Sequence, residues 1–170
     1  MSNFKKILPN ELKENTFKLI GKDWMVITSK VNDVSNSMTA SWGAMGVMWG
    51  KPVVYVVVRP QRYTKEFIDV SEKFSLTFFD ETYRKTLNYF GTVSGRDEDK
   101  ITTSGLTLTY ENGIPYYEES KIAILCKNLY KQDLTKDSFI NEELINLWYP
   151  KNDYHCLYIA EIETVLVKED

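Results

Sequence analysis

Histidine is almost absent from this chain: His155 is the only one. That excludes HExxH sites, His-rich metal sites and any paired-His chemistry. Cysteine is scarce as well, with Cys126 and Cys156 far apart and no CxxC pair. Two such thiols read as small core residues of a protein kept in a reducing cytoplasm. The glycines form no phosphate loop of the GxxxxGK[ST] type, and Gly43, Gly46 and Gly50 have the wrong spacing for a dinucleotide fingerprint. No GxSxG elbow occurs. Long hydrophobic runs are missing too. The longest β-rich apolar stretch, Val53 to Val58, is too short to span a bilayer, and the polar start MSNFKKILPNELKEN has no apolar signal core. The expectation is a soluble cytoplasmic protein with no membrane partner. Excess positive charge is lacking, since the formal net charge is -3. An aromatic-rich barrel can stack bases, but without a basic stripe nucleic acid is not expected as a partner.

What is present points to a sheet. The 170 residues fit one domain, expected over 1–170. A chain of that size buries roughly 70% of its unfolded surface and needs no disulfide or metal to stand. Aromatic residues make up 14%, including eleven Tyr and four Trp, and such side chains suit a pleated, half-buried surface. Strand-like runs recur at Trp24–Thr28, Met38–Trp42, Val53–Val58, Phe74–Phe79, Leu106–Tyr110, Ile122–Tyr130 and His155–Val167. Turn residues bound them, such as Gly50-Lys51-Pro52, and Asn112-Gly113 signals a hairpin into Ile114–Tyr117. Helical patterns are fewer: Thr64–Ser71 with Thr64 as a cap, Glu81–Phe90 stopping at Gly91, and Asn141–Tyr149 ending before Pro150. Strands and helices do not alternate strictly. A mainly β fold follows, an antiparallel barrel with a few short peripheral helices.

Four segments could carry chemistry. Ser35–Gly43 packs small hydrogen-bonding residues and Trp42 into nine positions. On a strand, Ser37, Thr39 and Ser41 would face one way and Met38, Ala40 and Trp42 the other. Such a surface suits a flavin ring, polar at one edge and apolar at the other. An ordinary turn plus amphipathic strand explains it equally well. Arg59-Pro60-Gln61-Arg62-Tyr63-Thr64 sets two arginines before a helix start, where free N–H groups and guanidinium forks match phosphate oxygens. Solvated surface arginines are the alternative. Ser94–Lys100 could close over the same phosphate through Ser94, Arg96 or Lys100, or be a charged turn. Within it, the run Asp97-Glu98-Asp99 reads as a solvated loop rather than a metal site. Asp153-Tyr154-His155 opens the last strand. A lone histidine is commonly structural, yet it alone would titrate near neutrality if unperturbed.

Together, Asn-Ser-Met-Thr-Ala-Ser-Trp-Gly, Arg-Pro-Gln-Arg-Tyr-Thr, Ser-Gly-Arg-Asp-x-Asp-Lys and Asp-Tyr-His-x-x-Tyr-Ile resemble the flavin reductase-like FMN-binding split-barrel family, flavoredoxin included. The resemblance runs from about Trp24 to Val167 with the segments in order. It implies a split-barrel homodimer with one FMN near each subunit interface, where Trp148, Tyr149 and Tyr154 would be aromatic anchors. It places Asn36, Met38, Thr39, Ala40, Ser41 and Trp42 against the isoalloxazine and ribityl chain. Arg59, Arg62, Tyr63, Thr64, Ser94 and Lys100 would reach the phosphate side. His155 matches the histidine beside the open flavin face and is the catalytic candidate. The family's usual glycine beyond that histidine is Ala160 here, which would narrow the approach to the ring.

The expected function is an FMN oxidoreductase. NADH or NADPH would donate, and a flavin, metal chelate, quinone or protein would accept, the flavin itself doing the organic chemistry. The alternative is a flavin-binding electron carrier without a nicotinamide site. A compact phosphate cluster and no adenine-binding glycine fingerprint favour FMN over FAD.

Overall fold

A computed structural model describes residues 3–169. It contains ten strands: β1 Phe4–Ile7, β2 Met25–Val31, β3 Val34–Ala40, β4 Gly43–Met48, β5 Lys51–Val58, β6 Lys73–Phe78, β7 Leu108–Glu111, β8 Ile114–Tyr117, β9 Ile122–Asp133 and β10 Cys156–Lys168. The helices are α1 Tyr63–Ser71, α2 Arg84–Thr92, α3 Lys100–Ser104 and α4 Glu143–Trp148. Every strand pair is antiparallel, and the main sheet runs β3-β2-β6-β9-β10-β5-β4 with β1 also on β10. With 43% strand and 28% helix the fold is a mainly β, antiparallel split barrel, as the composition implied.

Long β10 makes the curl possible. Cys156–Glu161 pairs with β5, while Val165–Lys168 pairs with β1. Its ladder with β9 slips at Ile159/Ala160 and again at Ile162/Thr164. Such irregularities bend a strand and raise its twist. The sheet ends in β3 and β4, which follow one another in the chain through Ser41 and Trp42. That corner is where the barrel splits.

Alternation along the strands sets two cores. Met25 and Ile27 point into the barrel with Val54, Phe74, Leu76, Ile124 and Tyr158. Val26, one step on, joins Phe79, Leu87, Phe90 and Tyr117 beneath α2. Fully burying one such side chain stabilises the fold by roughly 1.5–3 kcal/mol. Because β2 is covered on both faces, its first five residues are all buried.

Several boundaries differ from the sequence reading. The strand expected at Met38–Trp42 begins at Val34, because the Asn32-Asp33 turn sends the chain straight back along β2. Asn32 takes a positive φ of 53° there. β1, β4 and α3 went unforeseen. In β4, Gly43 and Gly46 mask an edge strand that pairs with β5 throughout. Its turn is Trp49-Gly50, with φ of 52° and 70°, so Lys51 and Pro52 open β5 rather than forming the turn. Thr64 does not cap α1. Arg62 occupies that position, and the Thr64 hydroxyl instead accepts a hydrogen bond from Asn36. Gly91 lies inside α2, which continues to Thr92. Among the described residues no helix is long and apolar enough to cross a membrane.

Candidate functional site

The functional side chains gather along β3. Asn36 and Met38, the first residues of α1, the loop Thr92–Gly95 and Lys100 at the start of α3 enclose about 160 Å³. Lys100 is only 3% exposed, and its Nζ donates to the Phe90 carbonyl at 3.1 Å. Arg62 donates through Nη1 to the Gly91 carbonyl at 2.7 Å. Both cations thus sit on the last carbonyls of α2, the end of a helix that favours positive charge. Neither pairs with a carboxylate among the described residues. Burial, with the Arg62 charge beside it, pushes the Lys100 ammonium down to about 8. Burial also lowers Arg62. A desolvated cation pair without an anion is unfavourable, and a phosphate at this place would relieve it. The first turn of α1 adds N–H groups that have no partner within the helix. The residues present fit a phosphate.

A close approach holds the pocket's shape. The Asn36 amide nitrogen donates to Thr64 Oγ1 at 2.8 Å. Its oxygen lies 2.0 Å from where a Cβ on Gly95 would stand, so only glycine fits there. Ser94 Oγ accepts from the Arg96 N–H at 3.2 Å and faces the same space.

Next along β3, Met38, Thr39, Ala40, Ser41 and Trp42 line a second pocket of about 210 Å³ with Val57, Arg59, Arg62, Trp148 and His155. Met38 and Arg62 belong to both pockets, so the two adjoin. Trp42 meets Trp148 edge-to-face at 4.8 Å and lies 5.2 Å from the His155 ring. Ser37 and Thr39 do not share a ring-facing surface. Ser37 is buried against Thr28 and Tyr117, and the Thr39 hydroxyl donates to the Leu87 carbonyl. Ala160 lies fully buried in the barrel core and does not line this pocket.

Arg59 and His155 behave differently from the sequence expectation. Arg59 sits in the second pocket rather than on the cation side. Its fork is occupied, donating to Asp153 Oδ2 at 2.7 Å and to the Trp148 carbonyl at 2.9 Å. His155 is nearly buried, with Nδ1 2.8 Å from the Tyr149 hydroxyl. Burial, then the Arg59 charge, lowers its pKa to about 4, so the imidazole is neutral at neutral pH. The sequence missed Tyr149 as its partner. Tyr149 is buried, 5% exposed, and is no surface anchor. The missed signal was Pro150, which ends α4 and turns Tyr149 back toward the strand that follows.

Comparison with known proteins agrees with this geometry. The model of the family described as "Flavin reductase like domain" matches residues 17–170. A flavin-reductase-like FMN-binding domain from Shewanella baltica superposes with a TM-score of 0.71 at 19% identity, covering 98% of this chain and 78% of that one. Flavoredoxin of Desulfovibrio vulgaris gives 0.66 at 25% identity, covering 86% and 69%. An uncharacterized protein of Escherichia coli K12, YddH, is 30% identical over 122 residues, 69% of this chain. The match spans 64% of that relative's length. The chain belongs to the flavin reductase like domain family.

Proposed function

We propose that this chain binds FMN and works as an oxidoreductase fed by NADH or NADPH. The observation that carries the reading is Lys100 and Arg62, two buried cations without a carboxylate, beside a pocket walled by aromatic side chains and His155. The cation pocket would hold the phosphate through Lys100, Arg62 and the N–H groups of Tyr63 and Thr64. The segment Met38–Trp42 would hold the ring, with Trp42 and Trp148 excluding water from its edge.

When bound, the flavin supplies hydride acceptance and onward electron transfer. His155 stays neutral while the Tyr149 hydroxyl fixes Nδ1, so it acts as a positioned dipole rather than a cation. That suits orienting an incoming nicotinamide, which carries no acidic proton to exchange. The acceptor is a flavin, metal chelate, quinone or protein.

The relatives support the class. They include a flavin reductase named PheA2, the flavin reductase of a styrene monooxygenase from Pseudomonas putida, and an NADH:FAD oxidoreductase of Streptomyces globisporus. We also read the chain as one domain, working as a homodimer in the cytoplasm. The edge strand β4 supports the dimer, with Val47 75% and Trp49 56% exposed. Tryptophan is among the residues that anchor interfaces. A monomeric mass by light scattering, with FMN bound, would count against it.

The test is anaerobic stopped-flow mixing of FMN-loaded protein with NADH and with NADPH. Bleaching of the flavin by either supports the enzyme. Bound FMN that neither donor bleaches would make the protein an electron carrier instead.

A further inference from the structure

A third cleft, about 580 Å³, is larger than either pocket above. It shares Asn36, Tyr63, Gly95 and Lys100 with the cation pocket. The three spaces follow one another along β3: Met38–Trp42 lines the ring pocket, Asn36 and Met38 the cation pocket, and Asp33–Asn36 the cleft. FMN would fill the first two and leave the third. Its volume lies within the range that buries most of a small organic ligand.

The walls of the cleft describe an occupant. Tyr63 carries the Arg96 guanidinium 4.6 Å from its ring centre, and Tyr110 carries the Lys30 ammonium at 4.8 Å. Val34 and Tyr110 are both exposed at its rim. Such surfaces stack a flat heteroaromatic ring. The neighbouring acids do not oppose an anionic ligand equally. Asp99 accepts from the Thr102 N–H and hydroxyl, and Glu98 accepts from the Thr103 hydroxyl. What fits is a flat base joined by phosphate to the group already held between Lys100 and Arg62.

We propose that this cleft takes the adenosine 5′-phosphate end of FAD, so that the chain binds FAD no more weakly than FMN. The proposal rests on the phosphate reading above. Side-chain walls here replace the glycine fingerprint whose absence made the sequence favour FMN.

Calorimetric titration of the purified, flavin-free protein with FMN, FAD and riboflavin tests it, in the parent, Tyr110→Ala and Tyr110→Phe. The expected result is an FAD Kd equal to or below that of FMN. Loss of one stacking partner should raise the FAD Kd about tenfold in Tyr110→Ala. Its FMN Kd should not move, and Tyr110→Phe should match the parent. FMN binding tenfold tighter than FAD, or a Tyr110→Ala effect that is absent or equal for both, overturns the cleft assignment and leaves the FMN site standing. Failure of both flavins to bind removes the phosphate reading and this proposal together. Weakened NADH binding to FMN-loaded Tyr110→Ala, with FAD unaffected, would give the cleft to the donor and overturn the proposal too.

Discussion

Arg59 and Arg62 lie three residues apart, at the end of β5 and the start of α1, and end in opposite electrostatic situations. Arg59 faces Asp153 at 2.7 Å and the Trp148 carbonyl, and it lies 5.2 Å from the Tyr149 ring centre. Its charge is answered within the protein, and it fastens the excursion carrying α4 to the barrel. Arg62 finds only the carbonyls of Phe90 and Gly91, with the buried Lys100 ammonium as its neighbour. Its charge is answered in part. Two identical side chains thus separate a structural clasp from an anion site, and what separates them is whether a carboxylate stands opposite.

The largest expected effect breaks the unanswered side. Arg62→Ala and Lys100→Gln should each raise the FMN Kd by one to two decades, since a charge-assisted bond is worth about 1.5–3 kcal/mol. Riboflavin, which has no phosphate, should bind as in the parent. Equal losses for both ligands would make these residues structural.

Proton linkage gives the next. Burial lowers Lys100 from 10.5 to about 8. Between those values the unfolded chain keeps a proton that the folded chain releases, so ligand-free stability falls as pH drops through that window. FMN needs the charged form. Its affinity should therefore fall as pH rises past about 8, and the Lys100→Gln variant should lack that fall.

A smaller effect is expected on the clasp side. His155→Gln should slow anaerobic reduction by NADH or NADPH while FMN affinity and Tm hold. Its folded pKa of about 4 lies below the ordinary 6.5, so the parent loses stability as pH falls from 6.5 toward 4. The variant should melt with a flatter acid profile over that range. An unchanged reduction rate would leave His155 a strand-end pin.

Smallest of all should be Asp153→Asn. It removes the carboxylate opposite Arg59 but touches no group in the cation pocket. The ratio of FMN to riboflavin affinity should stay as it was. A selective loss of FMN binding would make Arg59 a phosphate residue after all, as its place in the motif implied.

Much of this was legible beforehand, and the failures have physical causes. Residue types and order gave the barrel, the ring-side segment and the cluster around Arg62 and Lys100. The pairing of cations with carboxylates was not legible, because Asp153 is 94 residues from Arg59. Nor was the histidine's depressed pKa, which comes from burial against Tyr149 and Arg59 rather than from any neighbour in sequence. β4 escaped because two glycines in an edge strand carry no alternating pattern. Gly95 looked like a turn residue; its actual constraint is the side chain of Asn36, brought from a different strand.

The central claim is that Lys100 and Arg62 await a phosphate, and the titration of Lys100 itself tests it most directly. NMR of carbon-labelled lysine, with Lys100→Gln to assign the signal, follows that ammonium in the ligand-free protein and with riboflavin or FMN. The ligand-free midpoint should lie near 8. It should rise with FMN, whose phosphate favours the charged form, and rise far less with riboflavin. A midpoint equally placed with both ligands would mean that no phosphate reaches Lys100, and the site would have to be assigned elsewhere.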